Sequence, residues 1–211
     1  MKTKKSGESM WTKKFVTAII FLLMISSQSI SQDPVTETMD QAKAFYLQGN
    51  MKEAVQGLEK ALQLINDRLE EKLTGSLPEP LNGWRADDAF ATTTNIGLVS
   101  GIKVKKRYYK KGGGPSVDIE IVTNSIKIGN IKRMFSSPSM LKRAGDNIKI
   151  ATVAERKCVE RFDPVDRYAE LIFVPTSTLL ITITGQDMKN TDTVSKYADR
   201  LNWNELEIHF P

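Results

Sequence analysis

The sequence predicts an α+β fold in which an N-terminal antiparallel helical hairpin precedes an antiparallel β-sheet with packed helices. Two patterns predict it. Between residues 36 and 73, apolar side chains recur every three or four positions, which is the spacing of one helix face. From residue 98 onward, short runs of alternating apolar and polar residues are separated by turn-forming residues, which is typical of half-buried strands.

The first 31 residues have the pattern of an export signal. Five lysines and one acid precede an uncharged run of eleven apolar residues at 15–25. Ser29 and Ser31 then stand two apart before Gln32, as a signal peptidase requires. The run is shorter than the roughly 20 residues that span a membrane. We therefore expect cleavage near Ser31 and a periplasmic or secreted protein without a transmembrane segment, with a retained anchor as the alternative.

Loss of that segment would change the charge balance. The full chain has 30 basic and 25 acidic residues, and residues 1–31 contain 5 and 1 of these, which leaves 25 and 24. A remaining net charge of +1 gives no support for nucleic-acid binding.

Two helices are predicted between residues 36 and 73. The first has a short apolar stripe that ends before Gly49-Asn50, and both of these residues tolerate the left-handed conformation that closes a helix. The second has a longer stripe. Its members are Met51, Ala54, Val55, Leu58, Ala61, Leu62, Ile65 and Leu69. A single hairpin cannot bury such a stripe alone, so the following domain or another chain must cover it.

The segment from Ala42 to Ile65 resembles one tetratricopeptide repeat. The matching positions are Ala42, Phe45, Gly49, Ala54, Ala61 and Leu62. The segment departs from that pattern at Thr38, Gln41 and Asn66, and no second copy follows at the repeat period. The resemblance implies protein–protein contact. The alternative is a hairpin that completes the core of its own protein.

Residues 75–83 (GSLPEPLNG) contain two prolines bracketed by glycines, which predicts a linker. The expected parts are thus a signal peptide over residues 1–31, a hairpin over 32–74, a linker over 75–83 and a sheet domain over 84–211.

The sheet domain has six predicted strands. They are Leu98–Lys110, Ser116–Thr123, Ile148–Val153, Arg156–Phe162, Tyr168–Val174 and Thr178–Thr184. Two short helices are predicted between residues 125 and 144 and another over 191–201, and Trp203 to Phe210 is expected to add an edge strand. This order loosely resembles the PsbP-like sandwiches. Together with LPEPLNGW it also resembles uncharacterised exported bacterial proteins with a short helical front end.

Few residues can support catalysis. Cys158 and His209 are the only cysteine and histidine, and no nucleophile signature surrounds Cys158, which is expected to be buried. A zinc site would need several cysteine or histidine ligands. Asp163 and Asp166 flank a turn, which is more typical of a solvated loop than of a metal site. The sequence contains no phosphate loop and no dinucleotide fingerprint. We expect no enzymatic activity, cofactor or metal. An enzyme would need a cleft that joins Cys158 to His209 or to a pair of carboxylates.

The most distinctive candidate binding segment is KVKKRYYKK at residues 103–111, which we call the basic segment. Its candidate binding residues are Lys103, Lys105, Lys106, Arg107, Tyr109, Lys110 and Lys111. They suit an anionic lipid, an anionic glycan or an acidic partner. Alternatively, Asp118 and Glu120 offset this charge from the neighbouring strand.

The expected function is that of a non-catalytic, exported envelope protein that acts as a protein-interaction or assembly module. Its partner would be another envelope protein or a second copy of itself. The alternative is a protein that binds a small amphiphile, or an anionic glycan or lipid, through the helices at 125–144 or the basic segment.

Overall fold

The computed structural model of the protein describes residues 33–96 and 99–211. The predicted export signal over residues 1–31 lies outside them. The described chain begins with two helices and continues into an antiparallel eight-stranded sheet with further helices, which confirms the predicted α+β class.

The two N-terminal helices are α1 (Pro34–Leu47) and α2 (Met51–Gly75). The carboxylate of Asp33 accepts a hydrogen bond from the backbone N–H of Val35 at 3.1 Å, and Pro34 fits the first helical position because it lacks an N–H. Gly49 has a φ of 79° between the helices, a conformation that favours glycine.

The chain divides into two compact units, and the division falls inside α2. One unit ends at Ala61 and the other begins at Leu62. The last turns of α2 belong to the sheet unit, where Leu73 is fully buried and Leu69 packs against the core. A truncation that isolates the sheet unit should therefore retain the chain from Leu62.

Residues 75–83, which the sequence predicts as a linker, lie within the hydrogen-bonded structure of the sheet unit. The hydroxyl of Tyr108 donates to the carbonyl of Pro78 at 2.8 Å, and the N–H of Asn202 donates to the carbonyl of Ser76 at 3.1 Å. Leu77 belongs to the apolar core.

The sheet strands are β1 (Trp84–Ala86), β2 (Phe90–Ile96), β3 (Val99–Lys110), β4 (Ser116–Thr123), β5 (Ile148–Val153), β6 (Arg156–Asp163), β7 (Tyr168–Phe173) and β8 (Leu179–Gln186). Their order in the sheet is β1-β3-β4-β8-β7-β6-β5, and β2 also pairs with β3. The six predicted strands are present, and β1 and β2 are additional. Both pair with β3, which is 12 residues long and accommodates them one after the other.

Helices cover both faces of the sheet unit. On one face, the ring of Trp203 from α6 (Trp203–His209) lies 5.1 Å from that of Phe173, and Tyr197 from α5 (Asp192–Ala198) lies 4.5 Å from Tyr108. Helices α3 (Ile128–Ser136) and α4 (Pro138–Ala144) contact β6 and β5. Lys157 donates to the carbonyl of Phe135 at 3.2 Å, and its neighbour Cys158 belongs to the core on the opposite face.

The expectation of an edge strand at the C-terminus is wrong, because residues 203–209 form the helix α6. The side chain of Asn202 caps this helix by accepting a hydrogen bond from the N–H of Glu205 at 3.4 Å. Trp203, Leu206 and Phe210 are buried at the spacing of one helical face.

Replacement of Leu73 by alanine is expected to lower the free energy of unfolding by about 2–5 kcal/mol, because it leaves a cavity in the sheet core. The control is Ile126→Ala in the same unit, whose side chain is exposed, and its effect should lie within about 0.5 kcal/mol. Urea unfolding followed by circular dichroism measures both. Equal losses for the two variants would contradict the assignment of the end of α2 to the sheet core.

Candidate functional site

Small residues bring α1 and α2 into close contact. Ala42 of α1 and Ala54 of α2 are buried. A Cβ atom added to Gly57 would lie 2.8 Å from the Cβ of Ala42, closer than such atoms approach in proteins. Gly57 therefore keeps the two helices at this distance, and any side chain there would separate them.

Large apolar side chains beside this contact remain exposed. Those of Met39, Tyr46, Met51, Val55 and Leu58 are 48–60% exposed. Together with Ala42 and Ala54 they line a groove of about 480 Å³ between α1 and α2, and its charged lining residues in the described structure are Asp40 and Lys43. We call it the hairpin groove. The sequence predicts that the apolar stripe of α2 must be covered. In the described structure Leu69 of that stripe packs against the sheet core, whereas Met51, Val55 and Leu58 remain about half exposed.

An open apolar surface of this kind is unusual for a monomeric soluble protein. Full burial of one large apolar side chain is worth about 1.5–3 kcal/mol relative to exposure. Contiguous exposed apolar patches of more than a few hundred Å² generally mark interaction sites. The hairpin groove is therefore the leading candidate for the functional site.

The basic segment lies on β3, next to the acids of β4. The Nζ atom of Lys103 is 2.7 Å from Oε2 of Glu120, and that of Lys105 is 3.6 Å from Oδ1 of Asp118. Both ion pairs are diagonal, since Lys105 stands directly opposite Glu120 in the register. Arg107 donates to the hydroxyl of Ser116 at 3.4 Å. Part of the positive charge is thus offset locally.

The seven candidate residues do not share one face. Strand alternation places Lys103, Lys105, Arg107 and Tyr109 on one side of β3 and Lys106 and Lys110 on the other. The second side is the core side, where Tyr108 is fully buried and Lys106 lies 5.5 Å from its ring centroid. Lys111 follows in the exposed glycine turn. Anion binding by these residues stays a prediction.

Cys158 and His209 show no catalytic arrangement. The thiol of Cys158 is fully buried, and burial, with a smaller contribution from the carboxylate of Glu160, raises its pKa to about 12. His209 lies at the end of α6, where its Nε2 is 3.0 Å from Oε2 of Glu205. Among the described residues, the charged partner found for this imidazole is the Glu205 carboxylate, and the thiol of Cys158 is not in its ion pair.

A second, polar pocket of about 350 Å³ lies where β6 and β8 end and β7 begins. It is lined by Arg161, Asp163, Asp166, Tyr168 and Gln186. The Nε atom of Arg161 is buried without a hydrogen-bond partner in the described structure, and the guanidinium lies 5.4 Å from the centroid of the Tyr168 ring. Asp163 Oδ1 accepts from the N–H groups of Val165 and Asp166 and so shapes the turn.

Neither a metal centre nor a membrane span is found in the part of the chain that the structure describes. No group of three or more His, Cys, Asp or Glu side chains could hold an ion over residues 33–96 and 99–211. None of the helices in those ranges has the length and hydropathy of a transmembrane helix.

No protein-family model and no solved structure matches the chain. The chain is 27% identical over 154 aligned residues to the gamma-glutamyl phosphate reductase of Geobacillus kaustophilus (strain HTA426), across 61% of this chain and 34% of the reductase. It thus spans about a third of that relative's length. Because the relative is named as an enzyme, the likeness weighs against the expectation of no catalytic activity.

Cys158 is expected to resist alkylation in the folded protein. With a pKa of about 12, roughly one thiol in ten thousand is ionised at pH 8, and the side chain is fully buried. Iodoacetamide labelling, followed by mass spectrometry, should be slow in buffer and complete in 6 M guanidinium chloride. As a control, Ile126→Cys places a thiol at a highly exposed position that should label within minutes. Equally fast labelling of Cys158 in the folded chain would contradict this assignment.

Proposed function

We propose that the chain is an exported, non-catalytic protein of the cell envelope whose helical hairpin binds an envelope protein or a second copy of itself through the hairpin groove. The observation that carries the proposal is the exposure of the five large apolar side chains that line the groove, at 48–60% each. Export is supported by the lysine-rich start, the apolar run at 15–25 and the small residues before Gln32.

The shape of the groove favours a helix as the bound element. Its floor is made by Ala42 and Ala54, and such small side chains allow the backbone of a third helix to approach closely. Methionine and tyrosine line its sides, and these flexible or amphipathic side chains are frequent at protein interfaces. An amphipathic helix with apolar residues at i, i+3, i+4 and i+7 would fill it.

The alternative functions have weaker support. Lys103 and Lys105 already pair with Glu120 and Asp118, which leaves less charge for an anionic lipid or glycan. The apolar side chains of the helices at 125–144 are partly covered, since Ile128 is buried and Lys157 of β6 donates a hydrogen bond to the carbonyl of Phe135. These helices therefore serve first as a cover for the sheet.

The likeness to a gamma-glutamyl phosphate reductase favours a second candidate function, that of a reductase-related protein. The buried thiol of Cys158, with its pKa of about 12, is poorly placed to act as a nucleophile. Oxidation of a reduced nicotinamide by an acyl phosphate in the presence of the purified chain would establish that candidate. No oxidation above the protein-free rate would remove it.

Val55→Asp is expected to abolish co-purification of the groove's partner from the envelope fraction, because it places a carboxylate in an apolar contact. The matched control is Val165→Asp in an exposed turn of the sheet unit, which should retain the partner. Affinity purification of the tagged chains with quantitative mass spectrometry measures the difference, and circular dichroism checks that both variants fold. Equal recovery of the same partner by both variants would contradict a role for the groove.

A further inference from the structure

We infer that the hairpin groove is occupied by the same groove of a second copy of the chain, so that the protein forms a two-fold symmetric dimer through its hairpins. This inference rests on the proposed function and names the partner. Three properties of the described hairpin support it: its exposed apolar area, the shape of the groove and the charges on its rim.

The exposed apolar area is sufficient for a dimer. Six large side chains of the hairpin are 48–74% exposed: Met39, Tyr46, Leu47, Met51, Val55 and Leu58. At roughly 150–200 Å² for a large side chain, they present about 600 Å² per copy. Two copies would then bury about 1,200 Å², which is the lower end of specific and stable interfaces. The hairpin faces alone can therefore form an interface of this size, without a contribution from the sheet unit.

The shape of the groove suits a partner of the same shape. A two-fold interface uses the same patch on both molecules, so the patch must be complementary to itself. This patch combines small, buried residues at Ala42 and Ala54 with large side chains at Met39, Tyr46 and Val55 that are 48–60% exposed. The projecting side chains of each copy can then lie over the small residues of the other.

The rim of the groove carries charges of both signs. Asp40 and Lys43 both line it and stand three residues apart on α1, so they lie along one edge of that helix. If the two α1 helices cross antiparallel near Ala42, Asp40 of each copy faces Lys43 of the other. Residues 33–61 contain five acids and three lysines, a net charge of −2, so repulsion between two hairpins is small.

Sedimentation velocity of the processed chain, purified from its own cells and measured from 0.5 to 100 µM, tests the inference. The native chain should shift from monomer to dimer within this range. Val55→Asp should remain monomeric throughout, whereas Val165→Asp should dimerise like the native chain.

Charge exchange provides a test that does not depend on the stability of an apolar variant. Asp40→Lys and Lys43→Asp should each weaken the dimer about three- to tenfold, because each places like charges opposite one another. The double variant should regain most of the native affinity, because both copies then carry the exchanged pair. The double variant would not restore the affinity for a binding partner of unrelated sequence, because that partner would not carry the exchanged charges.

Several results would overturn the inference. One is a native chain that stays monomeric at 100 µM, and another is a dimer that Val55→Asp leaves intact. If the chain is monomeric but Val55→Asp still loses an envelope protein, the second copy is excluded while the proposed function stands. If Val55→Asp alters neither self-association nor recovery of an envelope protein, both proposals fail.

Discussion

A two-helix hairpin can bury only the sides on which its helices face each other, and this limit determines which apolar side chains of α1 and α2 stay exposed. Here the facing sides are made of small residues, Ala42, Ala54 and Gly57, so the helices lie close together. The large apolar side chains are displaced to the flanks, where Met39 and Val55 are about half exposed. Close packing within the hairpin and an open apolar groove beside it are therefore two results of the same residue pattern.

The helix α2 contributes to both compact units. Its first turns supply one side of the hairpin groove, and its last turns place Leu73 in the core of the sheet unit. The sheet unit also includes residues 75–83, since Tyr108 and Asn202 hold the backbone of Pro78 and Ser76. Prolines in an extended segment therefore do not by themselves indicate a free linker, because buried hydrogen bonds can fix the same conformation.

Much of the fold can be predicted from the sequence where the side chains alternate or recur at one clear period, as in α2, β3 and β4. Strand β2 (FATTTNI) was not predicted because its central residues are small or polar on both faces, and its pairing with β3 decides its structure. At the C-terminus, Leu206, Ile208 and Phe210 alternate as they would in a strand. The Asn202 cap and the burial of Trp203 favour the helix instead, and Ile208 is left exposed. The uncovered stripe was predictable, but the role of Gly57 was not, since it depends on contact with another helix.

Methionine oxidation reports whether the hairpin groove is covered by a second copy, because the groove contains Met39 and Met51, both about half exposed, while Met188 is buried in the sheet core. Exposed thioethers react with hydrogen peroxide far faster than buried ones. We expect Met39 and Met51 to oxidise rapidly at 0.5 µM protein and to become protected at 100 µM, while Met188 reacts slowly at both concentrations. Oxidation of Met39 and Met51 at one unchanged rate across this range would contradict coverage of the groove by a second copy.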